Sequence, residues 1–100
     1  MNHALVSIIT PSYNSAKFIA ETIQSVQNQT YTNWEMIIVD DGSSDETEHV
    51  VLSIIQNDNR IQFHKLSQNS GPAVARTTGI EKASGDYMTS IDADDIWFPT

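Results

Sequence analysis

Short apolar runs that alternate with stretches of helical periodicity constrain this chain more than any other feature. Leu5 to Thr10 is apolar and β-branched and is bounded by Pro11, which suits a strand buried on both faces, as in a parallel sheet. From Ala16 to Asn28, the residues Ala16, Ile19, Ala20, Ile23 and Val26 recur at three- and four-residue intervals and share one helical face, with Asn14 or Ser15 placed to cap the helix. Trp34 to Val39 is a second strand, broken by Asp40-Asp41-Gly42-Ser43. Ser43 and Glu46 have capping-box spacing, and Val50, Val51, Ile54 and Ile55 form the next apolar stripe. Arg60 to Leu66 alternates in polarity, as an edge strand does. Pro72 then suits the first turn of a third helix, in which Ala75, Gly79 and Ala83 make a stripe of small residues for close packing. Gly85 is expected as its C-cap, and Tyr87 to Ile91 as a fourth strand.

The order β-α-β-α-β-α-β predicts an α/β fold: a Rossmann-like, open, mostly parallel sheet with flanking helices. One hundred residues suit a single core. In such sheets ligands bind beyond the C-terminal ends of the strands. Those ends carry Pro11-Ser12-Tyr13-Asn14, Asp40-Asp41-Gly42-Ser43 and Asp92-Ala93-Asp94-Asp95, so the polar clusters converge on one rim.

The chemistry of that rim follows from its residue types. Asp92 and Asp94, one residue apart, can lie on one side of an extended segment and share a hard divalent cation, Mg²⁺ or Mn²⁺. A lone Asp-x-Asp is more often a solvated acidic turn; its place on the ligand rim reverses that preference. Tyr13 could stack on a nucleobase or simply pack, and Asp41 could accept a hydrogen bond from a base N–H or simply form a turn. Adjacent Asp40 and Asp41 face opposite ways, so one looks into the pocket and the other is free to cap the following helix. Arg76 lies one turn into the third helix, either as a surface charge or as a ligand for phosphate.

Charge and composition exclude several classes. The 13 acidic against 5 basic side chains give a net charge of -8, which opposes attraction to nucleic acid or to an anionic membrane surface. The chain has no cysteine, which removes disulfides and thiolate zinc sites, and His3, His49 and His64 are scattered. No transmembrane segment or signal peptide is expected, because the apolar run before Pro11 is short and lacks a cationic leader; the default compartment is cytoplasmic.

The stretches VSIITPSYN, QTYTNWEMIIVDDGSSDET, NSGPAVARTTGI and SGDYMTSIDADDIWFP together closely resemble the N-terminal half of the family 2 glycosyltransferases, from about Leu5 to Pro99. These are inverting enzymes of GT-A fold that use nucleotide-sugar donors. The resemblance implies that residues 1–100 are a donor-binding half, cut after the Asp-x-Asp motif, for a nucleotide-sugar, with a UDP-sugar expected. It implies that Pro11 and Tyr13 line the base pocket, Asp41 bonds the uracil, and Asp92 lies near the ribose and metal-bound water. Asp94 would ligate Mn²⁺ or Mg²⁺ at the diphosphate, and Asp95 would support the site without ligating the metal. Where the family commonly reads Ala-Arg-Asn, this chain reads Ala75-Arg76-Thr77, which makes Arg76 the least secure transfer.

The family's catalytic base is expected downstream of Thr100, so this chain is expected to be inactive alone. The acceptor, a saccharide or a lipid-linked one, is not identified, and the full-length protein could sit at the inner face of the membrane. The alternative is an inactive nucleotide-binding or interaction module. An Asp-nucleophile phosphatase would carry its Asp-x-Asp on an early strand, and a phosphoacceptor domain would need its pair after the first strand and a lysine near the end; neither pattern is present. Exposed apolar surface at Ile96, Trp97 and Phe98 is expected to favour self-association.

Overall fold

A computed structural model describes residues 4–96. It contains β1 (Val6–Ser12), α1 (Ile19–Gln27), β2 (Trp34–Asp40), α2 (Thr47–Ile55), β3 (Ile61–Lys65), α3 (Pro72–Lys82) and β4 (Tyr87–Ser90). All strand pairs are parallel, in the order β3-β2-β1-β4, so the expected α/β architecture with an open parallel sheet is the one observed. β1 runs opposite β2 from Val6↔Trp34 to Ser12↔Asp40 and opposite β4 from Val6↔Tyr87 to Ile9↔Ser90.

Alternation along β1 and β2 divides the core by face. Ile8, Met36, Ile38 and Ile61 pack with Ile19, Ile23 and Val26 of α1 and Val51 of α2. Ile9, Ile37 and Val39 point the other way and pack with Ala75 of α3. Helices therefore cover both faces, and the two central strands are apolar on both, which is why their sequences read as runs rather than alternations. Gly79 lets α3 lie against the sheet: a Cβ there would meet Ile9 Cγ2 at 2.6 Å. At the far end of the sheet, the buried Glu35 carboxylate accepts hydrogen bonds from Ser7 Oγ (2.5 Å) and Ser84 N (2.7 Å), tying the end of α3 to β1 and β2. Burial alone would raise the Glu35 pKa, but these donors outweigh it and hold it below the usual carboxylate value.

Several local expectations are corrected. Pro11 lies within β1 rather than ending it. The carbonyl of Ile9 points toward β4, where it accepts from Ile91 N, and Pro11, two residues on, faces the same way; the β1–β4 register stops at Ile9↔Ser90, so the missing N–H of Pro11 breaks no ladder bond. Neither Asn14 nor Ser15 caps α1 by its side chain, and Ser43 makes no capping box with Glu46. The Ser43 hydroxyl instead donates to Asp40, while Asp45 accepts from Thr47 N (3.0 Å) at the head of α2. Gly85 is not the C-cap of α3. Ala83 holds that position, and Gly85 passes so close to β1 that a Cβ would lie 2.5 Å from Ser7 Oγ and 2.8 Å from Leu5 O. β3 lies at one edge of the sheet, as expected, and β4 at the other, exposed throughout, with Tyr87 and Met88 adding to the exposed apolar surface of Ile96. Trp97 and Phe98, like His3 and Pro99, lie outside the described residues.

Candidate functional site

The chain runs outward from β1 to β2 to β3, then returns across the other face through α3 to place β4 on the opposite side of β1. The order reverses between β1 and β4, and an open sheet has its crevice at that switch point. A cleft of about 750 Å³ opens there, lined by the end of β1, the segment after β4 and the start of α3. Pro11, Tyr13, Asp41, Arg76, Asp92 and Asp94 all line it, so the six residues expected to hold nucleotide and metal meet in one place, while Asp40 and Asp95 do not line it.

Tyr13 is half-exposed, as is Phe18, which lines the same cleft, so two aromatic rings are open to a planar ligand. Asp41 is buried and rigidly held. Its Oδ1 accepts from Ser70 N (2.6 Å) and its Oδ2 from Gly71 N (2.9 Å), while its carbonyl accepts from Asn69 Nδ2 (3.1 Å). Each carboxylate oxygen keeps a further lone pair for a ligand donor. Asp40 is fully buried, faces away from the cleft, and accepts from Ser43 N (2.8 Å) and from the Ser43 hydroxyl. The pair thus divides as expected, one inward and one outward, although Asp40 braces the turn after β2 rather than capping α2.

Asp92, Ala93, Asp94 and Asp95 do not form the extended segment expected. Asp95 N bonds Asp92 O (3.0 Å), closing a turn that brings carboxylate oxygens of Asp92, Asp94 and Asp95 within 4.8 Å of one another. Asp95 therefore joins the cluster. Three exposed hard oxygen donors at the cleft mouth suit a Mg²⁺ or Mn²⁺ ion that keeps water and ligand oxygens in its remaining positions. Thr22 of α1 anchors the turn by donating to Ala93 O (2.7 Å). Arg76 reaches toward the same turn, 3.9 Å from Asp92, in an exposed pair that leaves its guanidinium available.

Asn69, Gly71 and Phe18 also line the cleft and were not singled out from the sequence. The polar Asn69-Ser70-Gly71 stretch before Pro72 was the available signal, since a loop entering a helix turns its free N–H groups toward an acceptor.

Comparisons with known proteins agree with this geometry. The profile described as "Glycosyl transferase family 2" matches residues 7–100. The chain is 45% identical over 97 residues to the Escherichia coli UDP-Glc:alpha-D-GlcNAc-diphosphoundecaprenol beta-1,3-glucosyltransferase WfgD, covering 97% of this chain and 38% of that one. Staphylococcus aureus TarS residues 1–349 in complex with UDP superimposes with a TM-score of 0.85 at 33% identity, over 91% of this chain and 28% of that one. The Pyrobaculum calidifontis mannosyltransferase PcManGT with GDP-Man and Mn²⁺ gives 0.86 at 28% identity, over 92% and 28%. The chain thus spans well under half the length of the relatives it matches. A profile match across nearly the whole chain and the shared parallel-sheet architecture lead to one conclusion: the chain belongs to glycosyl transferase family 2.

Proposed function

We propose that residues 1–100 form the donor-binding part of an inverting glycosyltransferase that takes a UDP-sugar with a divalent cation. The observation that carries this reading is the convergence of Tyr13, Asp41, Arg76, Asp92 and Asp94 on the cleft between β1 and β4. Tyr13 would stack on the base above Pro11, and Asp41, fixed by the N–H groups of Ser70 and Gly71, would accept its imide N–H. Asp92 would lie at the ribose, and Arg76 would turn from Asp92 toward the diphosphate. Asp94 would hold the cation, with Asp92 and Asp95 close enough to orient its water. Mg²⁺ or Mn²⁺ would supply neutralisation of the diphosphate as it leaves. Support for the nucleotide comes from TarS with UDP, and for the ion from PcManGT with Mn²⁺.

The carboxylates that line the cleft among the described residues are Asp41, Asp92 and Asp94, and each has a task on the donor side. Acceptor deprotonation is therefore assigned to none of them. No helix among the described residues is long and apolar enough to cross a membrane. A saccharide on a lipid diphosphate, as in the name of WfgD, would bring the acceptor to this cleft from the inner face of a membrane.

Asp94→Ala should abolish Mn²⁺-dependent UDP binding in calorimetry while the far-UV circular dichroism stays unchanged. Unaltered metal-dependent binding would remove Asp94 from the site. An inactive nucleotide-binding module would share that binding behaviour and differ in one respect: these residues, extended to the length of their relatives, would still neither hydrolyse nor transfer from a UDP-sugar.

A further inference from the structure

Asn14 is the one residue other than glycine with positive φ (48°) among those described. An asparagine tolerates this region, but a residue held there needs its surroundings to fix it. Both ends of Asn14 are fixed by the loop after β2. Its N–H donates to Ser43 Oγ (2.8 Å), and its Oδ1 accepts from Ser44 N (2.9 Å). The direction of the first bond is set by chemistry. Ser43 Oγ gives its one proton to the buried Asp40 carboxylate, an acceptor when ionised, so its lone pair faces the Asn14 N–H. Ser15 N to Thr47 Oγ1 (2.9 Å) and Ala16 N to Asp45 Oδ2 (3.2 Å) continue the same seam.

Tyr13 precedes Asn14, and Asp41 precedes the Gly42-Ser43-Ser44 loop. The Asn14 clamp therefore sets the aromatic platform and the carboxylate acceptor of the base site relative to each other; Asn14 itself lines the cleft, whereas Ser43 and Asp40 behind it do not. We propose that Asn14, backed by Ser43 and Asp40, is a positioning residue that selects for the nucleobase: it holds Tyr13 at stacking height over Asp41 and takes no part in binding the diphosphate or cation. This inference rests on the donor-site reading above.

The test uses Asn14→Gly, which keeps the positive φ but removes Oδ1, and Asn14→Asp, which keeps both. Binding of UDP and of inorganic pyrophosphate, each with Mn²⁺, is followed by NMR titration, and ¹⁵N relaxation reports the order of the Tyr13 amide. Asn14→Gly should weaken UDP about three- to tenfold, the worth of one lost hydrogen bond, and leave pyrophosphate within about twofold. Tyr13 should become more mobile, and Asn14→Asp should restore both the UDP-to-pyrophosphate ratio and the order. Equal weakening of the two ligands, or an unchanged Tyr13 amide in Asn14→Gly, would overturn the positioning role. If the wild-type chain fails to prefer UDP over pyrophosphate, the donor-site reading is what falls; the clamp on Tyr13 is then still decided by the relaxation data.

Discussion

Gly79 and Gly85 are both glycines because something lies too close, but the obstacle differs. At Gly79 an added Cβ meets the side chain of Ile9, and the helix gains about 1 kcal/mol from replacing glycine by alanine, which offsets part of the clash. At Gly85 the Cβ meets Ser7 Oγ at 2.5 Å and backbone as well, Leu5 O and Ser7 N both at 2.8 Å, where the chain enters a strand paired on both sides. Gly85→Ala should therefore cost about 3 kcal/mol and Gly79→Ala about 1 kcal/mol, read from urea midpoints at unchanged m-value. Equal costs would mean that β1 yields as readily as one isoleucine. The sequence pattern foretold Gly79, since a four-residue stripe of small side chains signals helix packing. It misplaced Gly85, because a close approach to a strand 78 residues earlier leaves no local mark. The same division holds in the site. Tyr13, Asp41, Asp92 and Asp94 were legible because strand ends in a parallel sheet share one rim, whereas the tie from Asp41 to Ser70 and Gly71 depends on how two loops meet.

Elements in this fold are joined at their ends by polar locks, and the one before β3 is sensitive to acid. Asp58, in the turn after α2, accepts from Arg60 Nε (2.9 Å), from the second guanidinium nitrogen (2.8 Å) and from Gln27 of α1 (3.1 Å). The Arg60 guanidinium in turn lies 3.8 Å from the centre of the buried Trp34 ring, at the start of β2. The hydrogen bonds from Arg60, opposed by burial, lower the Asp58 pKa from 3.8 to about 2. A carboxylate with a depressed folded-state pKa stabilises the protein above its unfolded value and loses that contribution as the pH falls toward the folded one. Stability should thus drop between about pH 4 and pH 2 by at most about 2 kcal/mol from this group, less whatever solvent screening of the partly exposed Arg60 removes. Asp58→Asn should flatten that part of the curve of unfolding free energy against pH; an unchanged slope would show that Asp58 is not the group responsible. Apolar periodicity revealed the first two helices and a stripe of small residues the third, but the expected caps misled, because Ser43 and Asn14 take part in bonds that join the loops after β1 and β2.

At the scale of the whole molecule, the sequence order of elements implied an open parallel sheet but not which strands would neighbour, and it is the reversal between β1 and β4 that makes the cleft. Charge acts at the same scale. A net -8 surrounds a cleft lined by Asp41, Asp92 and Asp94 with Arg76 as its cation among the described lining residues, and that cation already faces Asp92. An anionic diphosphate approaching alone meets repulsion that a bound cation would reverse. Salt screens both effects, with opposite results. Raising NaCl from about 50 to about 300 mM, which shortens the screening length from roughly 14 to 6 Å, should weaken Mn²⁺ binding to the acidic turn. The same change should leave metal-free UDP binding unchanged or slightly tighter, the reverse of a site built from basic residues. Calorimetric titrations of each ligand at both salt concentrations separate the two. Metal-free UDP binding that weakens with salt would mean that Arg76 outweighs the three aspartates, and that the diphosphate is held by the protein without need of an ion.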